Sequence, residues 1–353
     1  MTIATAHSEL VSKIKRYDKL ILSKPNYAEG YFNRGVLFLQ LGRFEEAIKD
    51  YDRAIQIKPD YADAFNNRGI ALQELGQLEL AIESYDRAIQ IKPDYAEVYV
   101  SRGIALQELG QLEQAIESCN KALEIKPSSN TAQHILNSLL GNDVQSAPEE
   151  YIKNLFNKYA QNFENHLLNK LGYTSPSFFK ETLNDLGLTN KKFNAAIDLG
   201  CGTGLVGAEF RNMVDVLIGI DLSEKMIRQA KEKNVYDELI VSDLVNGLKT
   251  LKTNFDLFIS ADVFAYIGDL ASLFDSVKKH ANNESLFIFS TEDMSGDGFF
   301  LQQTGRFAHS KNYILSTASH FGFKLEYFEQ YSLRKNKGEW LVGGIYILRN
   351  IIK

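Results

Sequence analysis

Four prolines, Pro25, Pro59, Pro93 and Pro127, stand 34 residues apart. Three further sets keep the same step: Gly35, Gly69 and Gly103; Ala47, Ala81 and Ala115; Ala54, Ala88 and Ala122. The stretch 66–79 nearly recurs at 100–113. A unit of this size cannot bury a core alone and must stack on its neighbours. Gly and Ala at fixed places mark where two helices approach closely, since larger side chains would push them apart. Each proline ends the second helix of a pair, because it lacks an N–H and its ring clashes with the preceding turn. Gly42, Gly76 and Gly110 fall at the turn between helices.

This pattern resembles the tetratricopeptide repeat. It predicts an all-α solenoid over 8–140, with complete units at 27–60, 61–94 and 95–128. Residues 8–26 read as the second helix of a leading partial unit, and 129–140 as a capping helix. The resemblance implies a concave groove that takes a protein or peptide partner. Its groove positions read Phe32, Asn33 and Val36, then Asn66, Asn67 and Ile70, then Val100, Ser101 and Ile104. None is Lys or Arg, which disfavours a clamp for a peptide carboxylate. Glu29, Asp63 and Glu97 recur near the groove entrance. They suit a basic partner, or they simply favour helix N-termini; the second reading is preferred.

The period breaks at 141–148, a polar stretch with Gly141 and Pro148 near its ends, read as a linker. The net charge of −6 lacks the electropositive surface that phosphate backbones select, so no nucleic-acid partner is expected. Two cysteines in different domains, Cys119 and Cys201, offer no disulfide framework and no metal spacing. With no signal segment and no apolar run of membrane-spanning length, a cytoplasmic location without membrane attachment is expected.

Residues 149–171 carry apolar side chains at helical spacing, and from Ala195 the chain alternates strand and helix. Strands are expected at 195–199, 216–220, 238–241, 255–260 and 286–289, a helix near 310–321, and a terminal hairpin from Lys324 to Leu348 turning at 334–338. The first strand runs into Asp198-Leu-Gly200-Cys-Gly202-Thr-Gly204, where missing Cβ atoms let a ligand approach the backbone. Gly202, Gly204 and Gly207 also spell the dinucleotide fingerprint, with Asp221 one strand later. A carboxylate at Asp198 repels a pyrophosphate and attracts an ammonium, and Gly200 extends the loop one step earlier than that fingerprint requires.

The Asp-x-Gly-x-Gly-x-Gly pattern resembles motif I of class I S-adenosylmethionine-dependent methyltransferases, over 149–353. The fold class is thus α plus α/β, the second part a Rossmann-like, seven-stranded, doubly wound sheet ending in an antiparallel hairpin. The resemblance implies S-adenosylmethionine as cofactor. Gly200, Cys201, Gly202 and Gly204 would line its amino-acid tail, with Asp198 on the ammonium. Asp221 would take the ribose hydroxyls, Leu222 and Met226 the adenine face, Asp243 and Leu244 the adenine edge, and Ala261 the sulfonium. For Met226 a place in the helix core competes. The run Leu155 to Leu168 resembles a helix covering the pocket, with Tyr159, Phe163 and His166 as candidates to face it; an ordinary core role competes for the aromatics, and for His166 a surface place is preferred.

Methyl transfer needs mainly positioning and exclusion of water. The acceptor pocket is expected from Asp262 to Tyr266, from Glu292 and its neighbours, and from Gly305-Arg306-Phe-Ala-His309-Ser310. That last stretch, with Asp262-Val-Phe-Ala-Tyr-Ile-Gly268, resembles a methyltransferase group in which Arg306 could hold an acidic acceptor and His309 remove its proton. No Asn/Asp-Pro-Pro-Tyr/Phe stretch of base methylases and no paired-glutamate loop of arginine methylases is present. A small-molecule, carrier-bound or protein-presented acceptor is left. The alternatives are a scaffold whose methyltransferase fold has lost turnover, and a nicotinamide-dinucleotide oxidoreductase.

Overall fold

A computed structural model describes residues 3–160, 163–190, 192–336 and 338–351. The chain divides into two compact units, Met1–Asn142 and Asp143–Lys353. No described helix is long and apolar enough to cross a membrane.

The first unit is helical. Helix α1 (Ile3–Ser23) precedes three antiparallel pairs: α2 (Ala28–Gln40) with α3 (Phe44–Ile57), α4 (Ala62–Glu74) with α5 (Leu78–Ile91), and α6 (Ala96–Glu108) with α7 (Leu112–Ile125). Helix α8 (Asn130–Leu140) follows, capped by the Ser129 hydroxyl and ended by Gly141 in the left-handed region. Gly42, Gly76 and Gly110 take φ of +70°, +74° and +82° between paired helices, which L-residues with a Cβ rarely adopt. The six repeated alanines are fully buried.

The repeated glycines each face a side chain of the partner helix. A Cβ at Gly35 would lie 2.7 Å from the Tyr51 ring, and one at Gly69 would lie 2.5 Å from the Tyr85 ring. In the third pair the ring is replaced by Cys119, whose Sγ would be 3.1 Å from a Cβ on Gly103. Gly69→Ala is therefore expected to destabilise the full-length protein by about 1–3 kcal/mol through overpacking. Gly103→Ala should cost less. Urea unfolding followed by helical circular dichroism checks the ranking, and equal costs would contradict this packing.

A ladder of arginines stitches the pairs together. Arg34 binds Asp18 at 2.7 Å and Asp50 at 2.6 Å. One step later Arg68 binds Asp52 at 2.6 Å and Ser84 at 2.7 Å, and Arg102 repeats this with Asp86 and Ser118. Each guanidinium reaches the helix before its own and the helix after it. The acidic row lies in first helical turns. Asp63 accepts from the Tyr95 hydroxyl at 2.8 Å, and Glu97 pairs with Lys126 at 3.2 Å. Those two acids already have local partners, which agrees with the helix-terminus reading.

The second unit is a layered α/β fold. Its strands are β1 (Phe193–Leu199), β2 (Val214–Asp221), β3 (Glu238–Val241), β4 (Phe255–Ser260), β5 (Ala281–Asp293), β6 (Phe299–Leu301), β7 (Phe307–His309), β8 (Phe323–Asn336) and β9 (Glu339–Asn350). Strands β3, β2, β1, β4 and β5 are parallel in that order, and β9 then β8 extend the sheet antiparallel beyond β5. These are the seven strands expected from the sequence. The sheet has nine because β6 and β7 form a short hairpin, with β7 pairing along β5 at Glu292 and Asp293. The terminal turn is also tighter than expected: Asn336 pairs with Glu339, so Arg334 belongs to β8.

Alternate residues of each strand face opposite layers, as the pleat requires. Ile197, Leu199, Phe258, Phe287 and Phe289 pack with α13 (Leu244–Thr250), α14 (Ala271–His280) and α15 (Lys311–His320). Ala196, Leu257, Ile259 and Ile288 pack with α10 (Ser175–Asp185) and α11 (Leu205–Phe210). Of the stretch read as a linker, residues 143–148 belong to this unit. The Gln145 carbonyl accepts from the N–H groups of Gly268 and Asp269 at 2.9 and 2.8 Å, and Ser146 bridges Ile267.

Candidate active site

The order of the parallel strands reverses between β1 and β4, where an α/β sheet opens a crevice at its C-terminal edge. The glycine-rich loop leaves β1 there. Gly200, Gly202 and Gly204 have φ of +80°, +52° and +90°. The N–H groups of Gly200 and Cys201 donate to the Ile220 carbonyl at 2.8 and 2.9 Å, pinning the loop to the end of β2. A Cβ on Gly200 would lie 2.4 Å from Val263. Above Gly202 the space is open: the nearest atom to a Cβ would be on the Phe163 ring, 3.9 Å away. Cys201 is buried against Gly219, and burial pushes its thiol far above the ordinary range.

Asp198, near the end of β1, is fully buried. Its Oδ2 accepts from the Tyr236 hydroxyl at 2.6 Å, while Oδ1 has no partner among the described residues. Burial pushes the carboxyl up to about 7, opposed by the Tyr236 hydrogen bond and helped by the nearby Asp221. Asp221 ends β2 and is half-buried. Its oxygens accept from the N–H groups of Gly202 at 2.9 Å and Ser223 at 2.8 Å. Burial also raises its carboxyl, against those two bonds. Each oxygen keeps a lone pair for a further donor.

The other residues expected around the cofactor sit at the ends of neighbouring strands. Leu222 is half-buried beside Asp221, and Leu244 is buried at the start of α13. Asp243 caps α13: Oδ1 accepts from the Asn246 N–H at 2.9 Å and Oδ2 from its amide at 2.8 Å. Ala261 follows β4, half-buried against the layer of α10 and α11. Met226 is 1% exposed on the inner side of α12 (Glu224–Glu232). That placement corresponds to the helix-core alternative rather than to a free surface for a ring.

A covering segment lies beside the glycine loop. Helix α9 (Glu149–Tyr159) is followed by a π-helical turn at Asn165–Lys170. Gln161 and Asn162 of the expected covering helix lie outside the described residues. The Asn157 amide oxygen accepts from the Ser223 hydroxyl at 2.7 Å, the Gln229 amide donates to the Ala160 carbonyl at 2.5 Å, and Lys233 pairs with Glu164 at 2.8 Å. These contacts tie the segment to α12. Phe163 thereby stands over Gly202, edge-on to Phe156, which in turn meets Tyr266 edge-on at 5.2 Å. Tyr159 stacks on His166 at 6.5 Å, both half-buried.

Beyond β4 and β5 four charges meet. Asp262 occupies the left-handed region at φ +64°, and its N–H donates to the Ser290 hydroxyl at 2.9 Å. Arg334 donates to both Asp262 oxygens and, at 2.6 Å, to Glu292. A bulge between Ser332 and Arg334 buries Arg334 next to the buried Leu333, where strict alternation would have put it outside. Arg306 lies 3.9 Å from Asp262 and has its Nε 2.6 Å from Glu292, without an aligned hydrogen bond. Its guanidinium also sits 5.1 Å from the Tyr266 ring centre. The second Glu292 oxygen accepts from Gln302 at 2.8 Å. Glu292, expected to line the acceptor pocket, is only 3% exposed.

His309, a candidate for removing the acceptor's proton, lies in the core. It is fully buried, its Nε2–H donates to the Gly268 carbonyl at 2.9 Å, and its ring stacks on Tyr313. Burial lowers it to about 4. A general base must reach the proton it takes, and this imidazole instead ties β7 to the chain leaving β4. All three residues of β7 are buried, which the motif alone does not reveal.

Two important residues were not signalled by any motif. Tyr236, between α12 and β3, binds Asp198 and accepts from the Gly207 N–H at 3.1 Å. Its ring explains three glycines: Cβ atoms at Gly204, Gly207 and Gly219 would lie 3.1, 2.3 and 3.0 Å from it. Arg334 falls at the start of the terminal turn expected from the sequence, and the structure puts it in β8.

Comparison with known proteins accords with this division. A family described as TPR repeat matches residues 37–76 and 72–110, and tetratricopeptide repeat matches 96–129. A methyltransferase domain matches 190–322. The chain therefore carries tetratricopeptide repeats in its N-terminal part and a methyltransferase domain in its C-terminal part. No curated protein matches it. Among solved structures, an S-adenosylmethionine-dependent methyltransferase from Clostridium acetobutylicum is 18% identical, covering 56% of this chain and 100% of that one, with a TM-score of 0.42. Magnesium protoporphyrin IX methyltransferase from Synechocystis is 13% identical over 57% and 99%, with a TM-score of 0.44. MamA is 24% identical over 38% and 79%, with a TM-score of 0.37.

Proposed function

We propose that this chain, which joins tetratricopeptide repeats to a methyltransferase domain, uses S-adenosylmethionine to methylate a small-molecule or protein-presented acceptor. The observation that carries the reading is the glycine corner flanked by two buried-side carboxylates, Asp198 and Asp221, on adjacent strand ends. The residues fit the cofactor. Gly202 leaves open room beside the backbone, Asp198 offers a buried oxygen without a partner, and Asp221 has spare acceptor capacity. A carboxylate pair of this kind favours an ammonium and hydroxyl groups over a pyrophosphate, which sets aside the oxidoreductase alternative.

The cofactor supplies a methyl group already activated on a sulfonium. The protein's part is then to orient, to exclude water and to hold charges still. Asp198 holds the ammonium, Asp221 the ribose hydroxyls, and the glycine loop the tail. Phe163 and Phe156 cover the loop against water. The acceptor enters beside Ala261, over the floor made by Asp262, Arg334, Glu292 and Arg306. A protein or peptide in the repeat groove brings the acceptor or its carrier. The groove's uncharged amide and apolar positions support a neutral, extended partner surface.

Calorimetry with S-adenosylhomocysteine and labelled methyl transfer into fractionated lysate test this. Full-length protein is expected to bind the nucleoside with a micromolar Kd and to label one fraction. Residues 143–353 should bind equally but label it less. Binding of a reduced nicotinamide dinucleotide with none of the sulfur nucleoside would overturn the assignment. Tight nucleoside binding with no labelled product would favour the non-catalytic scaffold.

A further inference from the structure

We infer that Tyr236 is the positioning residue for cofactor recognition: it holds one oxygen of Asp198 so that the other is aimed at the ammonium of the amino-acid tail. This rests on the cofactor reading above. Three observations converge. The hydroxyl donates to Asp198 Oδ2 at 2.6 Å and accepts from the Gly207 N–H at 3.1 Å, so its direction is fixed at both ends. The ring is wedged against Gly204, Gly207 and Gly219, where any Cβ would meet it within 3.1 Å. The remaining oxygen, Oδ1, is buried without a partner among the described residues.

A buried carboxylate with one free oxygen is costly unless something charged is to arrive. The hydroxyl lowers that cost on one oxygen only, leaving the other for the ligand. The titratable groups facing Asp198 are Tyr236 from the loop before β3, Asp221 from β2, Cys201 from the glycine loop and Tyr173 ahead of α10. None of them is a cation, so among the described residues only Tyr236 favours the ionised form by direct contact. Phenylalanine would keep the ring and the packing and remove the hydroxyl, with its bonds to Asp198 and to the Gly207 N–H.

The test compares two ligands on full-length protein. S-adenosylhomocysteine carries the ammonium; methylthioadenosine has the nucleoside and sulfur but no amino-acid tail. For Tyr236→Phe, affinity for the first is expected to fall about tenfold or more at pH 7, as for loss of a hydrogen bond to a charged group. Affinity for the second should stay within about twofold, since its contacts are untouched. Raising the pH from 7 to 8 should recover part of the loss, because Asp198 ionises again. In an Asp198→Asn background the same change should have no effect beyond about twofold, which keeps the test valid if Tyr236→Phe alone folds poorly. Equal losses for both ligands at every pH, or no loss for either, would overturn the inference while leaving the cofactor reading intact. Failure of the unaltered protein to bind either nucleoside would overturn both.

Discussion

Asp198→Asn is expected to raise the melting temperature at pH 8 while weakening the binding of S-adenosylhomocysteine about a hundredfold. The reason is the buried carboxyl, raised to about 7 chiefly by desolvation. Its folded-state value lies above the unfolded one, so the folded protein holds the proton more tightly. The associated stability is complete below about pH 4 and is lost as the pH climbs through about 7. Above that, ionised Asp198 penalises the folded state by up to about 4 kcal/mol. Asparagine removes the penalty and keeps an oxygen for Tyr236. A gain of about 5 °C at pH 8, shrinking as the pH falls and vanishing near pH 3, is expected from thermal scans of the two proteins. Calorimetry should show nucleoside affinity falling about a hundredfold, as for a lost buried ionic contact. Identical melting curves at both pH values would mean that Asp198 is not held in its costly ionised form.

Stability and function thus oppose each other at this carboxylate, and that opposition is partly legible in the sequence. A strand of small and apolar residues carrying one acid before three glycines already places a charge in a core. The helical unit was equally readable, because its period of 34 repeats the same packing problem three times. The arginine ladder was present in the same period, at Arg34, Arg68 and Arg102, but its partners lie 16 residues away on other helices. No local pattern identifies such a pairing.

What stayed hidden depended on side-chain direction. Strands β6 and β7 have three residues each, too few for alternation to declare itself. His309 lies in one of them, and its chemistry suggested a base while its backbone turned it into the core. Strand β5 extends past its apolar run because Ser290, Thr291 and Glu292 are polar yet buried. Tyr236 sits in an unremarkable loop and becomes visible only when one asks what Gly207 and Gly219 are making room for.

Arg334→Leu is expected to destabilise the full-length protein by about 3–5 kcal/mol, the cost of leaving buried acids without their counter-charge. Arg334 is 4% exposed and touches both acids of the floor. Without it, Asp262 would keep only Arg306, at 3.9 Å, and would lose the anchor that holds it at φ +64°. Glu292 would keep Arg306 and Gln302. The damage should therefore concentrate on Asp262. Adding Asp262→Gly to Arg334→Leu should recover about 1–2 kcal/mol, since it deletes the stranded carboxylate and glycine accepts that φ without strain. Urea unfolding read by near-ultraviolet circular dichroism measures both steps. The same pair separates the two halves of the crevice: nucleoside binding at β1 and β2 should survive in the double variant, while labelled methyl transfer falls at least tenfold. A single variant as stable as the parent would show that the four charges exchange with water rather than with one another.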